Sequence, residues 1–210
     1  MSNFALIETE RLYMQTLKES DAEAMLEYHS NPDVVRYIPW PVRDMEMVKE
    51  ALTKYVTLND LENEGDYLML GLYRREDNQL VGQMNAMYRS ESNKLAEFGY
   101  VLNPRFAKNG YITEAAKALI STLFNSGNFH RVIAKMDKRN AASSKLCERL
   151  GLRLEAVHIQ DDWFKDEWTD TYIYAVLKDE WFRSLVAAGM ESQFSPTFHA
   201  WFQNYQEHNS

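Results

Sequence analysis

Apolar positions change their period along the chain, and each change marks a predicted element. From Leu6 to Leu17 they alternate, with Leu12, Met14 and Thr16 set against Arg11, Tyr13 and Gln15, which predicts a strand. Ser20-Asp21-Ala22-Glu23 has capping-box spacing, so a short helix starts there and stops near Asn31-Pro32. Residues 33–43 carry Pro39-Trp40-Pro41 and read as a loop. Asp44 caps a second helix with the stripe Val48, Leu52, Tyr55 and Val56, ended by Glu62 to Gly65. Tyr67 to Tyr73 and Leu80 to Tyr88 are strand-like, and the polar run Arg74 to Asn78 joins them as a hairpin.

Leu95 to Leu102 is the next strand, and the clearest helical spacing follows it. Ala115, Leu119 and Leu123 form one line, with Ala116, Ile120 and Phe124 beside it, until Asn125 to Asn128 ends the helix. Val132 to Met136 is a short strand. Residues 141–150 form a helix with Ala142, Leu146 and Leu150 one turn apart and Gly151 as its stop. Two strands, about 152–164 and 168–177, flank the turn Lys165-Asp166-Glu167. The pattern divides the chain into a domain over 1–178 and an appended segment over 179–210. In that segment Ser195-Pro196 reads as a helix N-cap followed by proline, and Phe194, Phe198, Trp201, Phe202 and Tyr205 recur at roughly helical spacing. Such an aromatic stripe packs on its own domain or on a second copy, so a homodimer is one expectation.

Composition narrows the class. A chain of 210 residues, 45% hydrophobic and 26% charged, can bury a sizeable core. No apolar run reaches the ~20 residues that span a bilayer, and the acidic start is unlike a signal peptide. One cysteine, Cys147, rules out internal disulfides and fits a cytoplasmic setting. The net charge of −8 argues against a nucleic-acid partner. It suits a cationic acceptor, or simply keeps the chain soluble. The five histidines are scattered, with no metal-binding spacing.

The stretch Leu102-Asn-Pro-Arg-Phe-Ala-Lys-Asn-Gly-Tyr-Ile-Thr-Glu-Ala115 carries the chemistry. A strand, a compact loop with Gly110 and a helix N-terminus form a phosphate site, because the first helical amides lack partners and carry partial positive charge. Arg105 and Lys108 add full charges.

Five segments in order resemble the GCN5-related N-acetyltransferase (GNAT) superfamily, in its branch of ribosomal-protein N-terminal acetyltransferases. They are Glu8-Thr-Glu-Arg-Leu12, Glu97 to Pro104, Gly110 to Ala115, Asp137 to Ser143 with Leu150-Gly-Leu152, and Trp163 to Asp170. The resemblance runs from about Glu8 to Trp181. It implies an α/β (α+β) fold with a mixed, mostly antiparallel central sheet flanked by helices, whose splayed central strands hold acetyl-coenzyme A. In the family, the strand before the loop pairs with the pantetheine arm, which implicates Tyr100, Val101 and Leu102. Loop and helix amides at Ala107, Asn109, Gly110, Tyr111 and Ile112 would hold the pyrophosphate. Asn140 caps its helix and, by resemblance, also contacts the pantetheine arm.

One departure stands in the loop, where Lys108 occupies the first glycine position. Glycine there permits positive φ. Asn109 is the residue expected to take the left-handed conformation in its stead, while Lys108 supplies charge.

The implied reaction is direct attack of a primary amine, on a protein N-terminus or a small molecule, on the thioester within a ternary complex. The amine must first lose a proton. Glu97 is a candidate base or a solvated strand-end acid, and Asp161 and Asp162 are alternatives. Ser143 either bonds locally or protonates the leaving thiolate. Cys147 takes a position where some relatives carry an acidic tyrosine, but on an apolar helix side it also reads as a small buried hydrophobe. Tyr37, Trp40, Tyr88, Trp163 and Phe164 are candidates for an acceptor groove. A contrasting expectation, resting on Lys108 and the aromatic C-terminal segment, is a non-catalytic acyl-coenzyme A-binding or protein-interaction module.

Overall fold

Thr9-Glu10-Arg11 interrupts the first predicted strand and folds it back on itself. In the computed structural model, which describes residues 4–189, Ile7–Glu8 (β1) and Leu12–Thr16 (β2) pair antiparallel around that turn. The alternation was real, but the Thr9 hydroxyl accepts from Leu12 N at 2.9 Å and closes the turn.

The expected Ser20/Glu23 box is replaced by Asp21, whose Oδ2 accepts from Lys18 N at 2.7 Å, ahead of helix Ala22–His29 (α1). The loop expected over 33–43 contains a helical turn, Pro32–Val35 (α2). Asn31 caps it through Asp33 N at 2.9 Å, and Pro32 fits its first position because no amide is needed there. Asp44 caps Met45–Tyr55 (α3) as expected, its Oδ1 accepting from Met47 N at 2.9 Å.

The middle of the chain follows its sequence pattern closely. Tyr67–Arg74 (β3), Leu80–Ser90 (β4) and Leu95–Leu102 (β5) form an antiparallel meander. Tyr111–Asn125 (α4) carries all six predicted stripe residues into the core. Arg131–Asp137 (β6), Ala141–Arg149 (α5), Arg153–Phe164 (β7), Glu167–Leu177 (β8) and Lys178–Ala187 (α6) complete the described chain. The helix expected from Ser195 onward, and with it the aromatic stripe and the homodimer inferred from it, lies outside the described residues.

The eight strands form one sheet in the order β1-β2-β3-β4-β5-β6-β8-β7. All neighbours are antiparallel except β5 and β6. Apolar side chains on the two faces form two clusters. One face packs Phe98 and Met84 against Leu119 and Phe124 of α4, Leu146 of α5, and Trp181 and Phe182 of α6. The other packs Met69, Tyr73 and Val101 against Met25 and Tyr28 of α1 and Val48 and Leu52 of α3. Strand β5 therefore sends Val101 to one side and Phe98 to the other, as the two-residue period of a strand requires. Gly82 in β4 lies opposite Leu102, and a Cβ at that glycine would sit 2.4 Å from the Val101 carbonyl oxygen.

Candidate active site

The parallel pairing of β5 and β6 covers only Leu95↔Arg131, Ala96↔Val132 and Glu97↔Ile133. Beyond Glu97 the two strands no longer pair with each other, though β5 runs on beside β4 to Leu102 and β6 beside β8 to Asp137. The sheet is thus split by a wedge with Glu97 at its root. Backbone groups on the inner edges of a wedge have no ladder partner, so they are available to an extended ligand.

Two cavities meet at this wedge. The first, about 450 Å³, lies between the start of α4 and α5 and is lined by Tyr100, Leu102, Lys108, Gly110, Tyr111, Ile112, Thr113, Ala142, Leu146 and Arg149. Gly110 is the N-cap of α4 at φ +78°, with no side chain capping the helix amides. The macrodipole and the uncapped amides make this a cradle for a phosphate group. Lys108 itself adopts the left-handed conformation, φ +65°, and the shift expected at Asn109 does not occur. Asn109 instead braces the loop, its Nδ2 donating to the carbonyls of Phe106 at 3.1 Å and Ala107 at 3.2 Å. A left-handed lysine costs roughly 1–2 kcal/mol, which the surrounding bonds must offset.

Arg105 stands apart from the cradle, 63% exposed, with its guanidinium 3.8 Å from Glu27. Ala107 and Asn109 shape the loop without lining the cavity. Arg149 is the cation that sequence reasoning missed. Its signal was the helical stripe Ala142, Leu146, Arg149, which places it on the face that meets α4.

The second cavity, about 240 Å³, opens on the wedge and shares Tyr100 and Leu146 with the first. It has two walls. On the α5 side lie Tyr100, Asn140, Ser143 and Cys147. Asn140 Oδ1 accepts from Ser143 N at 3.1 Å, the capping role expected of it. The Tyr100 and Ser143 hydroxyls are 3.1 Å apart. Burial pushes the Tyr100 phenol up, the bond to Ser143 offsetting part of this, so it keeps its proton at neutral pH. Burial also pushes the Cys147 thiol up, to about 12, and Cys147 packs at 1% exposure as a small apolar side chain.

On the opposite wall lie Glu97, Tyr67, Asn85, Tyr37 and Trp40. Glu97 is 19% exposed and its Oε2 accepts from Arg89 Nε at 2.7 Å. Asp161 and Asp162 do not line the cavity; Asp161 is engaged by His158 at 3.3 Å. Of the expected aromatics, Tyr88 is buried against Phe129, while Trp163 is exposed beside Trp168 on the β7–β8 hairpin. The tip of that hairpin still reaches the wall, because Lys165 Nζ donates to Val35 O at 2.6 Å and Arg139, bonded to Glu167, lies over Tyr37.

Trp40 is held by a buried polar network. The Arg43 guanidinium only donates, so His29 Nδ1, 3.2 Å away, is the acceptor and His29 Nε2 carries the proton. Nε2 donates to Gln83 Oε1 at 2.9 Å, which also accepts from Tyr28 Oη at 3.1 Å. His29 stacks on Trp40 and is fully buried. Burial pulls the His29 imidazole down from 6.5 to about 4, and the Arg43 charge acts in the same direction against the bond to Gln83.

In the unfolded chain His29 protonates near pH 6.5, before the folded chain does. Its contribution to stability is therefore intact above pH 6.5 and falls as the pH drops toward 4, by about 3 kcal/mol in all. Urea unfolding of wild type and His29→Gln across that window checks this. The variant should lose a matching part of the slope, and parallel curves would refute it.

Among the described residues no cluster of three or more His, Cys, Asp or Glu is placed to hold a metal, and no helix is long and apolar enough to cross a membrane.

With the wedge, the uncapped helix start and the two-walled cavity in view, likeness to known proteins can be placed. The acetyltransferase (GNAT) domain family matches residues 11–153. The chain belongs to this family, and with membership goes acetyl-coenzyme A-dependent N-acetyltransferase activity. An uncharacterised N-acetyltransferase of Bacillus subtilis (strain 168), YnaD, is 31% identical over 83% of this chain and 98% of its own length. The ribosomal-protein-serine acetyltransferase of Escherichia coli (strain K12) is 29% identical over 67% of this chain and 76% of its own. The crystal structure of a GNAT-family acetyltransferase from Bacillus anthracis superposes with a TM-score of 0.75 at 30% identity, covering 83% of this chain and 99% of that one.

Proposed function

We propose that the chain moves an acetyl group from acetyl-coenzyme A to a primary amine, on a protein N-terminus or a small molecule, by direct attack in a ternary complex. The observation that carries this reading is the wedge with a cavity on each side. One cavity suits the cofactor and the other admits an acceptor, and they adjoin at Tyr100 and Leu146 beside the open stretch of β5. In this reading the coenzyme's pyrophosphate lies on the amides at the start of α4, with Lys108 and Arg149 adding charge. The pantetheine arm runs along Tyr100 to Leu102 past Asn140. An amide on the open edge of β5, at Tyr100 or Leu102, polarises the thioester carbonyl as charge develops on its oxygen.

The acceptor enters past Trp40, Tyr37 and Tyr67, which line the opening beside Glu97. Glu97, directly or through a water, takes the proton that frees the amine lone pair. Nitrogen attacks the carbonyl carbon, the C–S bond breaks, and the thiolate takes a proton from the Tyr100–Ser143 hydroxyl pair, while the attacking nitrogen gives up its second proton, through water, to restore that pair. That pair is preferred to Cys147 because it is hydrogen-bonded within the cavity, whereas the thiol is packed among apolar side chains. The protein-acceptor form of the reading draws on the likeness to the ribosomal-protein-serine acetyltransferase of Escherichia coli.

The test is release of free coenzyme A from acetyl-coenzyme A with a panel of small amines and basic peptides. Amine-dependent release supports transfer. Binding of coenzyme A without release across the panel favours a non-catalytic module. No thermal shift at millimolar coenzyme A removes both readings.

A further inference from the structure

The segment Glu8-Thr-Glu-Arg-Leu12 marks the family likeness, yet nothing in the transfer reaction uses it. In the fold, its turn lies against the first turn of α4, more than a hundred residues away in sequence. Thr9 Oγ1 donates to Glu114 Oε1 at 2.6 Å, and Arg11 N donates to the same oxygen at 2.9 Å. The other carboxylate oxygen receives Arg11 Nε at 2.7 Å and lies 2.6 Å from Arg11 Nη2. Arg11 Nη1 then reaches past the helix to the carbonyl of Asn109 at 3.0 Å, and the guanidinium lies over the Tyr111 ring at 5.0 Å. One arginine therefore ties together the carbonyl just before the N-cap glycine, the aromatic ring just after it, and the acid in the first turn.

We infer that Arg11 and Glu114, with Thr9, form a clasp that sets the conformation of the pyrophosphate loop; they are positioning residues for the cofactor. The inference rests on the reading that this loop holds the pyrophosphate. Lys108 supplies the physical need. A left-handed lysine does not hold that conformation unaided, so the loop must be fixed from outside. Asn109 Nδ2 fixes its inner side, and Arg11 fixes its outer side. Glu114 is 17% exposed, so its charge is largely withdrawn from water and depends on these donors. Arg11 also neutralises an acid that would otherwise repel a phosphate in the first turn of α4. The three polar contacts of the planar guanidinium, two to Glu114 and one to the Asn109 carbonyl, cannot be made at once by an ammonium.

The experiment compares wild type, Arg11→Gln, Arg11→Lys and Glu114→Gln. Coenzyme A binding is measured by calorimetry, and turnover is measured with acetyl-coenzyme A and with S-acetylpantetheine, which lacks the pyrophosphate. Each variant is expected to bind coenzyme A about 10-fold more weakly. KM for acetyl-coenzyme A should rise to match, kcat should stay within about twofold, and kcat/KM for S-acetylpantetheine should be nearly unchanged. The double variant Arg11→Gln/Glu114→Gln should be no worse than either single one, because the clasp fails as a unit.

Full recovery in Arg11→Lys would mean that charge alone matters and would overturn the inference. So would equal losses with both donors, which mark a general structural defect, or unchanged coenzyme A binding. Glu114→Gln keeps shape and volume, so it decides the matter if the arginine variants fold poorly. Wild type that does not bind coenzyme A at all removes the proposed function and the clasp's role with it. Wild type that binds, with variants that bind equally well, removes the clasp alone.

Discussion

Glu97→Gln is expected to lower kcat by about 10²–10³-fold at neutral pH, with a much smaller loss as the pH approaches the pKa of the amine itself. The substitution keeps the side chain's shape, and a glutamine oxygen can still accept from Arg89, so the wall of the cavity should stand. What disappears is the proposed proton acceptor. At neutral pH nearly all of a primary amine is protonated, and a protonated nitrogen has no lone pair to offer the thioester. At high pH the solvent removes that proton and the carboxylate becomes dispensable. A pH–rate profile of the variant against wild type, with coenzyme A affinity measured alongside, reads this directly. A uniform loss at every pH would assign Glu97 to positioning rather than proton transfer, and an unchanged profile would free it of any role.

The second large effect is expected at Gly82, which has no chemistry of its own. Opposite Leu102, a methyl group at this glycine would fall 2.4 Å from the Val101 carbonyl oxygen, well inside contact distance, and the atom it meets is backbone. The strands must move apart, and β5 can move only toward the wedge. Gly82→Ala should therefore cost about 3 kcal/mol of stability, the upper end for overpacking. It should also displace the strand segment that faces the thioester, where an error of ~1 Å costs about 10²-fold in rate. Denaturant unfolding and coenzyme A titration of the variant test both parts. Wild-type stability together with wild-type affinity would mean that the β4–β5 spacing is softer than the structure shows.

How much of this was legible in the sequence depended on distance along the chain. The strand Leu95–Leu102 and the helix Tyr111–Asn125 were readable because their patterns are local and long. The cap at Asp44 was readable because a cap is a contact across three residues. The split of the first strand was missed: the polar run Glu8 to Arg11 interrupts the alternation, but the turn itself is a local contact made by the hydroxyl of Thr9. The helical turn after Asn31 could have been found, since Asn-Pro is a cap followed by a residue that needs no amide.

In the site, Tyr100 and Ser143 were each named, but their contact joins residues 43 apart and is a property of the fold. The same holds for Arg11 and Glu114, and for the Arg43–His29–Gln83 network behind Trp40. Lys108 was identified as the odd residue of its loop. Which residue turns left-handed was not decided by propensity, because the hydrogen bonds made by the Asn109 side chain require Asn109 to stay in register.

The three-residue pairing at the root of the wedge has a thermodynamic consequence. Past Glu97 the sheet is left open in its interior, where no other protein can add a strand, unlike an outer edge such as β7. In the proposed function, a donor lying in that opening would act as the missing strand and finish the sheet. Amides of Phe98 to Leu102 on the open side would then exchange with solvent more slowly when it is bound. Mass action gives such a protein about 2.7 kcal/mol of added stability at a donor concentration of 100 times Kd. Its resistance to unfolding and proteolysis would rise and fall with the supply of the metabolite it consumes.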